Sequence, residues 1–245
     1  MLPLRDRNPT RRTAVLTLVL IALNVGVYAL VQPSQTDLEA TARFSFERAA
    51  IPCELTTGNP LTVPEVVGTA NGFGDQLCDA APDAPELFPD KVVALSPVSS
   101  MFLHGGLVHL GGNMLYLWIF GNNVEDRLGR VRYLFFYLAA GLVATAAHVL
   151  IQPDSTVPLI GASGAIAGVM GAYLVWFPRA PILSWILVFI ASVPARWLLL
   201  YWFVSQFFIN PNEGVAWGAH VGGFAFGVLA GLLLRRSRPA APAWG

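Results

Sequence analysis

The chain has 245 residues, 55% of them hydrophobic and 12% charged, with a formal net charge of zero and a mean hydropathy of +0.57. The charged share is about half that of an ordinary soluble domain, and apolar runs of membrane-spanning length alternate with short polar stretches. A soluble globular enzyme is excluded, and no basic run suggests a nucleic-acid partner; the composition predicts a polytopic, all-α membrane protein.

The N-terminal residues 1–12 carry Arg5, Arg7, Arg11 and Arg12 and precede a first span at about 13–31. No small-residue cleavage site follows, so this reads as a retained helix rather than a signal peptide. A long segment at 32–97, rich in Pro, Gly and acids, has no apolar run of spanning length. A second span is expected at about 101–120. The stretch "GNNVEDRLGRVR" (121–132) reads as a turn, with Glu125, Asp126 and Arg127 forming a polar network there. A third span follows at about 133–151, then the connection "QPDSTVP" and a fourth span at about 161–177. In the next stretch Pro194 and Arg196 interrupt a long apolar run. A charged Arg belongs at an interface, so "ILSWILVFIASV" reads as a segment lying in or dipping into the membrane surface. The fifth span is expected at about 195–209, "NPNEG" as a turn, and the sixth span at about 215–234. The Pro/Ala-rich tail, 237–245, reads as disordered. The six-helix membrane domain is thus 13–236.

Six spans put both termini on one side. Twelve of the 15 Lys and Arg residues fall on that side, and twelve of the 15 Asp and Glu on the other. The positive-inside rule makes the terminal side cytoplasmic and places the 32–97 loop outside. Cys53 and Cys78, the chain's two cysteines, both lie in that outer loop. An even pair on an oxidising face suggests one disulfide, with two independent thiols as the alternative.

This topology brings Ser163, in "LIGASGAIAGVMGAY", to the same depth as His220 near the outer end of the sixth span. A serine and a histidine at matched depth can form a nucleophile–base pair. Gly223 and Gly227 form a G-x-x-x-G pair, and Gly164, Gly168 and Ala172 give the fourth span a stripe of small residues. That composition lets two helices pack backbone to backbone, which the pair requires. A lone serine among glycines is more often a packing residue, but packing alone does not explain His220. On the second span His109 and Asn113 share one helix face. With the backbone N–H of Ser163 they could hold a tetrahedral oxyanion, and Gly161 would let the backbone approach a substrate closely. His148 and Asn24 read as helix–helix hydrogen-bonding residues.

At these residues the sequence resembles the rhomboid family of intramembrane serine proteases. "GASGAIAG" is similar to the family's G-x-S-G nucleophile motif, "AHVGGFAFG" to its A-H-x-x-G-x-x-x-G motif, and "HGGLVHLGGN" to its second-helix motif. The resemblance implies a six-helix bundle in which Ser163 is the nucleophile, His220 the base, and His109 and Asn113 line the oxyanion hole. His104 matches a family histidine of more structural role. The implied substrate is a transmembrane segment of another protein, cut near the outer membrane face in contact with lipid, with no cofactor or metal. One turn after the serine, some members carry a Tyr that stacks on the histidine; here that position is Ala167, so His220 has to be oriented otherwise. A non-proteolytic rhomboid-like binder is the first alternative and predicts loss of Ser163 or His220. A transporter is the second and predicts repeated broken helices. A metal site on His104, His109 and His220 lacks a carboxylate or Cys at ligand spacing.

Overall fold

A computed structural model describes residues 1–73, 77–209 and 214–234. Residues 210–213, most of the expected NPNEG turn, and the expected disordered tail lie outside the described residues. Each expected span contains a helix. These are α1 (Val15–Leu30), α6 (Leu107–Leu128), α7 (Arg130–Ile151), α8 (Ser163–Trp176), α9 (Ala195–Ser205) and α10 (Trp217–Leu233). Among the described residues one helix, α7, is both long and apolar enough to cross a membrane by length and composition; α1, α8 and α10 are apolar but shorter.

Helix α8 is the centre of the bundle. Every residue from Gly164 to Tyr173 is buried. A helix that is apolar all round has no face to offer solvent, and this one is enclosed by α6, α7, α9 and α10. Helix α8 itself is rich in small side chains. Small residues such as Ala165, Ala167 and Ala172 lie inside, while Val19, Phe135, Leu150 and Leu233 are exposed on the outside of the bundle. Lipid tails are as apolar as these side chains, so close packing of small residues, rather than burial of large ones, holds such helices together.

The all-α expectation needs correction. Strands β1 (Leu2–Asp6), β2 (Pro181–Ile186) and β3 (Phe189–Pro194) form an antiparallel sheet in the order β1-β2-β3. The run expected to lie along the membrane surface is the β2–β3 hairpin, whose tip exposes Leu187, Val188 and Phe189. Its β-branched and aromatic content favours pleated structure once a partner strand exists, and that partner comes from the far N-terminus.

The expected turn at 121–132 is also shorter than its polar content suggested. Helix α6 continues to Leu128, and only Gly129, at φ 78°, separates it from α7. The polar side chains are tied to the N-terminal segment instead. Glu125 accepts from the N–H groups of Leu16 and Thr17 and from the Thr17 hydroxyl, at 2.9, 2.7 and 2.8 Å. It thereby satisfies the first-turn donors of α1, which has no capping side chain of its own. Asp126 accepts from Arg11 N at 3.1 Å, and Arg127 lies over the Trp176 ring. Asn24, expected to bond between helices, donates to Leu20 O within α1 at 2.7 Å.

The 32–97 segment folds over the opposite end of the bundle as α2 (Leu38–Arg48), α3 (Pro52–Thr57), α4 (Val63–Ala70) and, just after it, α5 (Ser96–Ser100). Its small core contains Phe46, Ile51 and Leu61. A disulfide joins Cys53 to Cys78. Lys91 and Glu54, both buried, form an ion pair at 2.5 Å. Lys91 also donates to Phe46 O, and Glu54 accepts from Leu61 N. Losing one partner would strand a buried charge, at a cost of about 3–5 kcal/mol. The segment is fastened to the chain entering α8: Leu159 N donates to Ala50 O at 2.7 Å, and Cys53 N to Ser155 O at 2.9 Å.

At the sheet end, Asp6 joins three elements. Its Oδ2 accepts from Tyr173 Oη on α8 at 2.7 Å and from Asn123 Nδ2 on α6 at 2.6 Å, while its Oδ1 accepts from Asn8 N. Burial pushes the Asp6 carboxyl up from 3.8 to about 6, against the opposing pull of the hydrogen bonds from Tyr173 and Asn8. The folded protein therefore holds this proton at a pH where the unfolded chain has lost it. The resulting stability is fully present below pH 3.8 and is lost as pH rises through about 6. The detergent melting temperature of the wild type should fall between pH 4.5 and 7.5 by more than that of Asp6→Asn, which is neutral throughout. Equal slopes for the two proteins would remove Asp6 as the source.

Candidate active site

The site lies where α8 and α10 cross. A Cβ on Gly223 would collide with the carbonyl oxygen of Gly164, and one on Gly227 with that of Gly168. On the other helix, a Cβ on Gly171 would collide with Phe224 O. The two backbones are in direct contact along this crossing, as the paired small-residue stripes require. Ala172, the expected end of the stripe, faces Gly231.

This approach brings Ser163, the first residue of α8, to His220 on the first turns of α10. His220 Nε2 and Ser163 Oγ are 2.8 Å apart. A hydroxyl and an imidazole at that separation have the geometry in which a base activates a nucleophile. Ser163 also stands where the backbone N–H groups of α8 have no intrahelical acceptors, so the positive end of the helix is directed at its surroundings.

Gly161 has φ 122°, a conformation L side chains rarely adopt. Its N–H donates to Ser100 O at 2.9 Å. A Cβ here would lie 2.8 Å from His109 Nε2 and 3.5 Å from Ser163 Oγ. The absent side chain keeps open the space between those two groups. His109 Nδ1 accepts from Gly105 N at 3.3 Å, which leaves Nε2 as the N–H of a neutral ring, directed toward that space. Asn113 is buried, and its Nδ2 has no hydrogen-bond partner among the described residues. Ser163, His220, His109 and Asn113 all line one cavity of about 910 Å³. Thr69 and Gly72, from the folded insertion, form part of its wall.

His104 is fully buried beside His109, with ring centroids 5.2 Å apart. Its backbone N–H and carbonyl are both paired with the side-chain amide of Gln32 at 2.9 Å. That pairing ties the end of α1 to the start of α6. His148 faces α10 at Gly218.

Two neighbours of His220 were not anticipated. Gln206 Oε1 lies 2.7 Å from His220 Nδ1, and the Trp202 indole packs on the imidazole with centroids 5.7 Å apart. Both come from the α9 side, Gln206 in the single 3-10 turn 206–208 that follows that helix. Ala167 offers His220 no ring, and these two residues contact the imidazole. The available signal was one amide within the apolar run "LLLYWFVSQFF", at the C-terminal end of α9, the end of the bundle from which α10 enters with His220.

A family profile described as Rhomboid domain matches residues 94–237, more than half of the chain. The chain is 31% identical over 153 residues to Rhomboid protein 1, mitochondrial, of Saccharomyces cerevisiae, a match covering 58% of this chain and 42% of that protein. It is 43% identical over 77 residues to Rhomboid protease GluP of Bacillus subtilis, covering 31% and 15% respectively. With RHOMBOID-like protein 6, mitochondrial, of Arabidopsis thaliana it shares 26% identity over 234 residues, covering 94% and 72%. The matches to the yeast and Bacillus proteins thus span less than half of their lengths.

The crossing can be tested without a protein substrate. Gly223→Val and Gly227→Val should each lower the detergent melting temperature and slow labelling of Ser163 by a serine-directed fluorophosphonate. A displacement of about 1 Å suffices for a loss on the order of 100-fold in rate. Gly26, with open space around its Cβ position, should accept Ala with neither effect. Normal melting and labelling in Gly223→Val would contradict the backbone contact.

Proposed function

The chain belongs to the rhomboid family, and from that premise we propose that it is an intramembrane serine endopeptidase acting through a Ser163–His220 dyad. The observation that carries the proposal is the 2.8 Å contact between Ser163 Oγ and His220 Nε2 inside the shared cavity. His220 takes the serine proton as Oγ attacks a peptide carbonyl. The tetrahedral oxyanion is held by the Ser163 backbone N–H, Asn113 Nδ2 and His109 Nε2, in the space that Gly161 leaves open. His220 then protonates the leaving amine, and water hydrolyses the acyl-enzyme by the same route. No cofactor or metal takes part.

In this reading the six-helix membrane domain spans 13–236, with both termini cytoplasmic and the 32–97 insertion outside. The substrate is a transmembrane segment of another protein, reached through the surrounding lipid. The shortness of α8 supports this arrangement. Its 14 residues extend about 21 Å, less than the roughly 30 Å hydrocarbon thickness. Ser163 therefore starts its helix below the surface, where non-helical backbone is tolerated if it lines a water-filled cavity. Such a cavity would supply the water for the second half-reaction. A substrate helix must unwind to expose a carbonyl there, so small and helix-weakening residues should surround the cut site.

Ser163→Ala should abolish cleavage of a transmembrane reporter in detergent or liposomes and keep its melting temperature, since a hydroxyl is all that is lost. His220→Ala should be equally inactive and should no longer label with fluorophosphonate. Asn113→Ala and His109→Ala should slow turnover toward the low end of the about 100- to 1000-fold loss seen for oxyanion donors. Cleavage by Ser163→Ala at the wild-type rate would sink the proposal.

A further inference from the structure

We infer that Gln206 is the positioning residue of this site: its amide oxygen sets the tautomer and orientation of His220. The inference rests on the serine–histidine reading above, but its geometry stands by itself. Gln206 is buried, at 4% exposure. Its Nε2 donates to Trp202 O at 2.9 Å and lies 3.2 Å from Ser205 Oγ. A backbone carbonyl can only accept, so the atom facing Trp202 O is the amide nitrogen. The atom 2.7 Å from His220 Nδ1 is therefore the amide oxygen. An amide oxygen can only accept in turn, so Nδ1 carries the hydrogen. In a neutral imidazole the lone pair then sits on Nε2, the atom facing Ser163 Oγ.

The donors thus run one way. The Ser163 hydroxyl donates to His220 Nε2, His220 Nδ1–H to Gln206 Oε1, and Gln206 Nε2–H to Trp202 O. The carbonyl of Trp202 selects the form of the base two hydrogen bonds away. The indole of the same residue packs against the imidazole and restrains its rotation. When His220 takes the serine proton, its Nδ1–H bond to Gln206 becomes charge-assisted and strengthens. An amide does this without placing a second ionisable group in a buried pocket, where an unpaired carboxylate would be costly. Trp202 and Gln206 together do the work for which no aromatic residue is available at Ala167.

A merely structural reading treats Gln206 as a cap on the last turn of α9. Gln206→Met and Gln206→Glu, read through the tautomer of His220, separate the two. Met keeps the shape and removes the acceptor. A protonated Glu keeps both functions, accepting from Nδ1 and donating to Trp202 O. The readouts are kcat and KM for a transmembrane reporter and the ring 15N shifts of His220, with melting temperature as the control. In Gln206→Met, kcat should fall on the order of 10- to 100-fold with KM unchanged, as expected for a misdirected catalytic group. The 15N pattern should show loss of the single Nδ1–H form. Gln206→Glu should restore most of kcat and the wild-type tautomer. Unchanged kcat and tautomer in Gln206→Met would overturn the inference, as would equal losses in both variants with the tautomer intact. If Ser163→Ala still cleaves, the protease reading fails, and the 15N measurement continues to decide the role of Gln206.

Discussion

The contact between the backbones of α8 and α10 is the constraint from which the site follows. Ser163 and His220 both have short reaches from their helices, and neither can be brought to the other by a long side chain. Only glycine allows the carbonyls of Gly164 and Gly168 to lie against Gly223 and Gly227. In lipid, where burying apolar surface gives no advantage over leaving it in the acyl chains, such contact is also the main source of cohesion. One feature therefore supplies both stability and the 2.8 Å approach of hydroxyl to imidazole.

The remaining structure holds α8 at its two ends. At the sheet end, Asp6 receives Tyr173 and Asn123, so the N-terminal strand anchors the foot of the central helix. At the other end, the insertion grips residues 155–159 through Ala50 and Cys53, and Ser100 grips Gly161. The positive-φ conformation of Gly161, open to glycine, is fixed in place by these neighbours. The ion pair and disulfide inside the insertion stiffen the wall from which Thr69 and Gly72 reach the cavity. The serine is thus located by a frame assembled from four separated stretches of chain, around Asp6, Asn123, Ala50 to Cys53, and Ser100.

The parts of this arrangement that were legible in the sequence are those written in local pattern. Apolar periods placed five of the six expected helices to within a few residues; α6 starts six residues later and ends eight later than its apolar run suggested. Gly and Ala at four-residue spacing gave the crossing, and matched depth brought Ser163, His220, His109 and Asn113 to one place. The cysteine pair could be read from its position in the insertion. The misses share another cause: each depends on a partner far away in the chain. Glu125 looked like a turn residue because its ligands are N–H groups of α1, more than a hundred positions earlier. Residues 182–193 had no visible reason to form strands, because their neighbour is residues 2–6. Gln206 is one polar residue in an apolar run, and only the fold shows which imidazole its oxygen meets.

The pairing of the first strand with the second also imposes an order on how the protein can be made. Leu2 lies opposite Trp185, so the first strand waits for its neighbour until the hairpin has been synthesised. At ribosomal rates of about 5–20 residues per second, that delay is on the order of 10 to 40 s. Closing so long a loop costs little more than closing a short one, because the entropy rises only with the logarithm of length. The delay is thus one of timing rather than of stability. Until the hairpin emerges, Asp6 and Tyr173 have no sheet to hold them together, and α8 has no fixed foot. His220 follows later still. A nascent chain therefore carries Ser163 without its imidazole until α10 enters the bundle.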